Sequence, residues 1–217
     1  MRGRFITFEG PDGAGKSTQI CRFAAWLKER HYPYVLTREP GGTALGDQIR
    51  SLLLDREYAS MDQMTEILLY AAARSQHVHE KIIPALQAGK LVICDRFTDA
   101  SIAYQGYGWG RGVSEVEAIN RFATEGFHPD RTYLIDVAPE IGRQRILERS
   151  GGQQGSETLD RIEVRKLDYH RRVRAGFLDL YAKDRQRICL IDGAEDADSV
   201  FQTIVSDASQ FLSEWRC

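Results

Sequence analysis

Apolar and polar positions alternate along the chain in two recurrent patterns. Short runs of β-branched and aromatic residues are followed by longer stretches in which apolar residues recur every three or four positions. The short runs are continuously apolar, as expected for strands of a parallel sheet that is covered on both faces. We predict five strands: Arg4–Phe8, Tyr34–Arg38, Leu91–Cys94, Thr132–Val137 and Ile188–Ile191. This alternation predicts β-α-β units and an α/β fold built on one parallel sheet flanked by helices.

The helical segments carry start signals of two kinds. The first helix is expected to begin at a glycine-rich turn, and its apolar stripe consists of Ile20, Phe23, Ala24 and Leu27. Two later helices are predicted to begin near residues 61 and 115, at capping boxes formed by Ser60 with Gln63 and Ser114 with Glu117. The polar, glycine-rich segments 106–112 and 150–158 are predicted to be surface loops.

Composition narrows the class of protein. A chain of 217 residues with 42% hydrophobic and 28% charged residues is typical of one folded domain, and we expect a single domain over 1–217. The net charge of −2 gives no broad basic surface for nucleic acid. Glu9 interrupts the first apolar run too early for a signal peptide, and no apolar run is long enough to span a membrane. The four scattered cysteines match no zinc site, so a cytoplasmic protein with reduced thiols is expected.

The segment "EGPDGAGKST" carries the strongest chemical signal. Its residues from Gly10 to Ser17 fit the pattern G-x-x-x-x-G-K-[ST], between a predicted strand and a predicted helix. Backbone N–H groups and the helix N-terminus then form a nest for the β- and γ-phosphates of a nucleotide, with Lys16 on the same oxygens and Ser17 on Mg²⁺. We predict phosphate binding by Gly10, Asp12, Gly13, Ala14, Gly15, Lys16, Ser17 and Thr18. The alternative is a glycine turn that serves close packing alone.

A second charged pair follows the third predicted strand. Asp95 is placed to hold Mg²⁺ through water, and Arg96 lies beside it at the carboxyl edge of the sheet, where ligands of open α/β sheets bind. The alternative is a salt bridge at the end of the strand. The N-K-x-D signature of guanine-binding switch proteins is absent from the sequence, which argues against a signalling GTPase.

Three further segments offer an acceptor site. Glu39 and Arg50 flank a Pro-Gly-Gly turn after the second strand, and Tyr70 and Arg74 lie four residues apart on one face of a helix. An aromatic ring and an arginine in that arrangement can stack on a base and donate to its carbonyl. Ser101, Tyr104 and Gln105 share a short helical turn. Turn chemistry, a surface helix and core packing are the respective alternatives.

Taken together, these segments resemble the bacterial thymidylate kinases. The resemblance includes "FEGPDGAGKST", "TREPGGT", "LLYAAAR", "ICDRF", "SIAYQG" and "LDRIE", in that order and over almost the whole chain. It implies a nucleoside-monophosphate-kinase fold with a five-stranded parallel sheet, usually as a homodimer. It also implies transfer of the ATP γ-phosphate to dTMP with Mg²⁺, giving dTDP and ADP.

The same resemblance implies a role for each acceptor-site residue. Tyr70 matches the aromatic residue that stacks on the base, in place of the more frequent Phe, and Arg74 the donor to a thymine carbonyl. Ser101 and Gln105 match residues near the pyrimidine edge, and Tyr104 the ring that disfavours ribose. Glu39, Arg50 and Arg96 match acceptor-site positions, with both arginines near the dTMP phosphate, and Asp12 matches the carboxylate near the sugar 3′ hydroxyl.

The position of the catalytic arginine divides the family. Members carry this arginine either inside the glycine-rich loop or in the lid, and here Gly13 stands at the loop position. The resemblance therefore implies a mobile lid at about 143–161 that supplies the charge. Arg149 is the predicted catalytic residue, with Arg145 and Arg161 as alternatives, while Asp160 and Glu163 are candidates to assist at Mg²⁺. An arginine-rich, solvated helix pair is the competing interpretation of this region.

Two other functions are compatible with some of these motifs. The first is a related kinase that acts on a nucleoside, CMP or UMP, against which Tyr104 and the Tyr70/Arg74 pair argue. The second is a regulatory protein that binds nucleotide without transferring phosphate. Intact Lys16 and Arg96 argue against it.

Overall fold

The fold was derived from a computed structural model that describes residues 2–110, 112–149, 159–213 and 215. Five parallel strands form one sheet in the order β2-β3-β1-β4-β5. Their bounds are β1 Phe5–Glu9, β2 Tyr34–Arg38, β3 Leu91–Asp95, β4 Arg131–Asp136 and β5 Ile188–Asp192. The predicted α/β fold and all five strands are thus confirmed, with boundaries that differ by at most one residue at each end.

Helices connect consecutive strands and cover both faces of the sheet. They are α1 Lys16–Glu29, α2 Ala44–Leu54, α3 Gln63–His77, α4 Ile83–Gln87, α5 Thr98–Ser101, α6 Val113–Ala123, α7 Pro139–Arg149, α8 Leu167–Lys183 and α9 Ala197–Ser213. Ile6 and Phe8 of β1 pack with α1 and α9, whereas Phe5 packs with a cluster on the opposite face. Because alternate side chains of β1 are packed on opposite faces, the strand holds the start of the glycine-rich loop in place.

Two of the predicted helix starts are wrong. The carboxylate of Asp62 caps α3 by accepting hydrogen bonds from the Met64 and Thr65 backbone N–H groups, so Ser60 has no such role. The helix α6 begins one residue before Ser114. Its cap residue is Gly112, which has no side chain with which to cap the helix. At α3, a residue near the predicted cap binds the free N–H groups. At α6, the helix extends past the predicted cap.

The predicted loop at 106–112 is also partly wrong. Ile102–Gly108 form π-helical turns that continue α5, and Gly106 and Gly108 are buried within them. A Cβ atom on Gly108 would lie 2.6 Å from the Tyr169 ring of α8, so the glycine permits close packing rather than flexibility. The other predicted loop, 150–158, lies outside the described residues.

The strand order positions the site. Because β1 lies between β3 and β4, the loops that follow β1 and β3 leave the sheet on the same edge and next to each other. The register pairs Phe8 of β1 with Asp95 of β3, and Arg38 of β2 with the same Asp95. Gly10, Arg96 and Glu39 are therefore brought together by the sheet.

Candidate active site

The glycine-rich loop curls between β1 and α1. Gly10, Gly13 and Gly15 all have positive φ angles, of 136°, 76° and 94°. A side chain at Gly10 would place its Cβ 2.1 Å from the Ile135 carbonyl oxygen, so the loop can pass the sheet only without one. The N-terminus of α1, with Gly15 as its cap residue, points its free N–H groups into this loop.

Lys16 is folded over the loop and is buried, with 7% of its surface exposed. Its ammonium group donates to the carbonyl oxygens of Gly10 at 3.0 Å and Pro11 at 2.8 Å. Burial lowers the pKa of Lys16 to about 8, and the positive charge of Arg96 acts in the same direction. A bound polyanion supplies the negative charge that favours the protonated form.

Arg96 joins the loop to the acceptor side of the site. This residue has a left-handed backbone with φ of 68°, and its guanidinium donates to the Gly10 carbonyl oxygen at 2.9 Å. It also forms an ion pair with Asp12 and donates to the Tyr104 hydroxyl at 3.0 Å. That hydroxyl donates in turn to Asp12 at 2.8 Å. Although burial raises the pKa of Asp12, the charges of Arg96 and Lys16 bring it below the usual value.

A cavity of about 280 Å³ adjoins Arg96, Asp12 and Tyr104 and the glycine-rich loop. All nine residues predicted for the acceptor site line it: Asp12, Glu39, Arg50, Tyr70, Arg74, Arg96, Ser101, Tyr104 and Gln105. Gly13, Gly15, Lys16, Ser17, Thr18, Asp95, Arg149, Asp160 and Glu163 line it as well. Gly10 and Ala14 are buried beside it. Segments that are far apart in sequence thus share one pocket in which a donor phosphate and an acceptor can meet.

Arg74 lines this cavity and is buried, with 2% of its surface exposed. Its Nε donates to Glu39 at 2.7 Å, and Nη1 donates to Ser101 at 3.1 Å and to Asn120. Nη2 donates to the Phe97 carbonyl oxygen at 3.2 Å. A guanidinium has five N–H groups, so these contacts among the described residues leave one N–H, on Nη2, for a ligand.

Three residues behind this arginine were not predicted from the sequence: Thr37, His77 and Asn120. Glu39 also accepts from His77 Nδ1 at 2.9 Å, and His77 Nε2 lies 2.6 Å from the Thr37 hydroxyl. Asn120 reaches Arg74 from α6. Glu39 therefore faces Arg74 and His77 as well as the cavity, which a position at the end of β2 could not reveal. A buried histidine one turn after Arg74 was the available clue.

Comparisons with known proteins identify the family of this chain. A family model described as thymidylate kinase matches residues 8–204. The thymidylate kinase of Exiguobacterium sibiricum is 49% identical over 99% of this chain and 98% of its own length. That of Carboxydothermus hydrogenoformans is 48% identical over 94% of this chain and 96% of its own. The chain belongs to the thymidylate kinase family.

A solved structure extends the likeness to the fold. The crystal structure of thymidylate kinase from Ehrlichia chaffeensis superimposes with a TM-score of 0.76 at 34% identity. The match covers 96% of this chain and 99% of that one. The five-stranded parallel sheet and its surrounding helices are therefore those of the nucleoside-monophosphate-kinase fold expected from the sequence.

The three arginines predicted for the lid occupy different environments. Arg149, the last residue of α7, is exposed and lines the cavity. Arg145 donates to the Gly193 carbonyl oxygen at 2.9 Å. Arg161 is buried, where it donates to the Leu53 carbonyl oxygen at 2.8 Å and pairs with Glu66 at 2.7 Å. Arg145 and Arg161 are thus engaged in packing contacts, which favours Arg149 among the described candidates.

The residues proposed for Mg²⁺ differ in how free their oxygens are. Asp95 Oδ1 is buried and accepts no hydrogen bond from the described residues. Such an orphaned carboxylate oxygen at the edge of the cavity fits a hydrated cation. Glu163 Oε2 accepts from the Asp160 backbone N–H at 3.1 Å, and burial, together with the charge of Asp160, raises the Glu163 pKa. The described residues contain no group of three acidic, histidine or cysteine side chains that could hold a metal alone.

Proposed function

We propose that this protein transfers the γ-phosphoryl group of ATP to dTMP, giving dTDP and ADP for the synthesis of dTTP. The observation that carries this proposal is the shared cavity, in which Arg96 contacts both the phosphate loop and the acceptor-side residues Asp12 and Tyr104. Phosphoryl transfer depends mainly on positioning and on neutralising the charge of the transferring group. One arginine that spans donor and acceptor sides is suited to both tasks.

On the donor side, the backbone N–H groups from Gly13 to Thr18 bind the ATP phosphates, and Lys16 exchanges its two carbonyl partners for phosphate oxygens. Ser17 and Asp95 hold Mg²⁺, with Glu163 as a further ligand through water. The ion supplies positive charge that offsets the charge of the β- and γ-phosphates. Arg96 adds a fixed guanidinium close to the acceptor.

On the acceptor side, Tyr70 stacks on the thymine ring, while Arg74, Ser101 and Gln105 contact its polar edge. Arg50, which donates to the Pro40 carbonyl oxygen at 3.0 Å, turns toward the dTMP phosphate together with Arg96. Tyr104 and Asp12 lie against the sugar, where the ring excludes a 2′ hydroxyl and the carboxylate accepts from the 3′ hydroxyl. Glu39 acts by orienting Arg74.

The chain works as one domain with a lid at about 143–161. We propose that closure of this segment brings Arg149 onto the γ-phosphate and excludes water, which would otherwise accept the phosphoryl group. A lid arginine is required because the loop itself has glycine at position 13. The Arg149 side chain already faces the cavity.

We also propose that the protein is a cytoplasmic homodimer that binds ATP and dTMP and has neither a nucleic-acid nor a membrane partner. Among the described residues, no helix is long and apolar enough to cross a membrane. The exposed apolar residues Leu45 and Leu52 of α2, Leu68 of α3 and Phe122 of α6 support a dimer, because these helices pack side by side. Phe122 is 89% exposed. Light scattering should give twice the chain mass, and Phe122→Asp should give a monomer; a wild-type monomer would refute the dimer.

Initial rates with ATP and Mg²⁺ test the activity directly. dTMP, dUMP, UMP, CMP and AMP should be compared as acceptors at equal concentration, with ADP formation as the measured quantity. We expect dTMP to give the highest kcat/KM and chelation of Mg²⁺ to abolish turnover. A preference for another monophosphate would establish a related kinase instead. ADP formation with none of them would favour a protein that binds nucleotide without transferring phosphate.

A further inference from the structure

Glu66 lies one helical turn before Tyr70 and is completely buried. Its Oε1 accepts from Gln105 Nε2 at 3.0 Å and from Trp109 Nε1 at 3.2 Å. Its Oε2 accepts from Arg165 at 2.6 Å and lies 2.7 Å from Arg161 Nη2. This one carboxylate therefore connects α3, the π-helical turns after α5, and the segment that precedes α8.

The two arginines keep this carboxylate ionised. Burial alone raises the pKa of Glu66, but Arg165, Gln105 and Arg161 outweigh it and the pKa falls below the usual value. An ionised carboxylate can only accept hydrogen bonds. Every group that hydrogen-bonds to Glu66 must consequently donate an N–H or an O–H, and Gln105, Trp109 and Arg165 do so through N–H groups.

This restriction determines the orientation of the Gln105 amide. A glutamine amide can rotate by half a turn, which exchanges its NH₂ group and its carbonyl oxygen. Because Glu66 accepts only, the NH₂ group of Gln105 must face it, as the contact with Nε2 shows. Gln105 is 1% exposed and lines the cavity. The carbonyl oxygen is the end of the amide that is left for a ligand.

The cavity thus offers a fixed pair of polar groups to a pyrimidine. Arg74 contributes one remaining N–H donor and Gln105 a carbonyl acceptor. Thymine and uracil carry a carbonyl oxygen at C4 and an N–H at N3, which complement this pair. Cytosine carries an amino group at C4 and a lone pair at N3, so both contacts would be mismatched.

We propose that Glu66 is a positioning residue that selects pyrimidines bearing an N3–H over cytosine, by holding the Gln105 amide in one orientation. The proposal rests on the proposed function, since it assigns the selectivity of the same acceptor pocket. Glu66 itself does not line the cavity. It acts on the substrate only through Gln105.

The variant Glu66→Gln tests this role. The amide introduced there presents an N–H as well as a carbonyl, so the Gln105 amide is free to rotate and turn its NH₂ group toward the ligand. The matched substrates are dUMP and dCMP, which differ only at C4 and N3. We expect the ratio of their kcat/KM values to fall by about tenfold or more, because a mispaired polar group in a buried site causes a loss of this order. Glu66→Asp retains the acceptor and should keep most of the ratio.

Trp109→Phe serves as the control. It removes the other donor to Glu66 Oε1 and leaves the Gln105 contact in place. The kcat/KM values for dUMP and dCMP are expected to change by the same factor in this variant, so their ratio stays constant. If Glu66→Gln does not fold, the double variant Glu66→Gln with Arg165→Gln replaces the ion pair with two amides and is measured in the same way. An unchanged ratio in a folded variant would overturn the proposal.

Failure of the proposed function has a different signature. It would appear already in the wild type, as the absence of turnover with dTMP or a preference for another acceptor. The inference about Glu66 fails when the wild type prefers dUMP over dCMP and the folded Glu66 variant has the same preference.

Discussion

The backbone of Gly13 in the phosphate loop lies directly against the backbone of Gly142 in α7. A Cβ atom on Gly13 would be 2.2 Å from the Gly142 carbonyl oxygen, and a Cβ on Gly142 would be 2.3 Å from that of Asp12. Position 13 is where some family members are expected to carry the catalytic arginine. In this chain the close approach of α7 excludes any side chain there.

Gly142→Ala should therefore separate α7 from the loop. We expect a loss of about 1–3 kcal/mol in the free energy of unfolding, the usual cost of overpacking, and weaker ATP binding. Chemical denaturation and nucleotide titration measure the two effects. Gly112→Ala is the matched control, because its Cβ would meet nothing closer than 3.4 Å and its φ of −58° suits alanine. Equal losses in both variants would contradict the packing argument.

Arg149→Ala should lower kcat by about a hundredfold or more, the scale of a charged group that acts on the transferring phosphoryl. The KM for dTMP should change little, because the arginine acts on the donor phosphate. Arg145→Ala is the comparison, since that side chain is held by the Gly193 carbonyl oxygen. Steady-state kinetics of both variants show which of the two arginines contributes more to kcat. A larger loss of kcat in Arg145→Ala would reassign the catalytic role.

Tyr104→Phe removes a hydroxyl that donates to Asp12 and accepts from Arg96. The aromatic ring of residue 104 remains. We expect kcat to fall by about five- to a hundredfold, in line with the loss of a buried hydrogen bond to charged groups, while the preference for deoxyribose persists. Rates with dUMP and UMP measure this preference. If it disappears in Tyr104→Phe, the hydroxyl and not the ring excludes ribose.

Glu9 makes the stability of the protein depend on pH. Its Oε1 accepts from the Phe97 backbone N–H at 2.6 Å, whereas Oε2 is buried without a partner among the described residues. Burial and the charge of Asp99 raise its pKa from 4.5 to about 8. Between these two values the folded state holds a proton that the unfolded state has released. The stability contributed by Glu9 is thus complete below pH 4.5 and is lost as the pH rises through about 8.

The variant Glu9→Gln is neutral at every pH and removes this dependence. Its free energy of unfolding should rise relative to that of the wild type between about pH 5 and pH 8. Urea denaturation at several pH values gives the difference. Glu29→Gln, on the exposed surface at the end of α1, is the control and should show no such trend. A constant difference between Glu9→Gln and the wild type would show that Glu9 does not titrate in this range.

Local patterns predict the elements well and their ends less well. The strands are identifiable because burial on both faces requires a continuous apolar run. The helix α1 is identifiable because burial on one face requires apolar residues at every third or fourth position. The cap of α3 is not, because Ser60 and Asp62 both carry suitable oxygens, and only the path of the chain selects between them. Gly106 and Gly108 indicate a loop by residue type, yet glycine also permits close packing against another helix.

The candidate site shows the same division. The sequence motifs predicted Asp12, Arg74 and Arg96 as site residues, and the fold brings their segments to one cavity. The residues that hold these side chains in place could not be predicted from motifs. Glu66, His77 and Asn120 lie on helices and carry no motif, and they became visible only through hydrogen bonds that join residues far apart in the chain.

By itself, the sequence determined the α/β class, the phosphate loop and the family to which the chain belongs, because each depends on residue types at short, fixed spacing. The tertiary structure alone decided which oxygen each donor meets: that Arg74 keeps one N–H for a ligand, that Arg161 is buried against Glu66, and that α7 excludes a side chain at Gly13. These outcomes depend on distances of about 3 Å between segments that only the packed sheet and helices bring together.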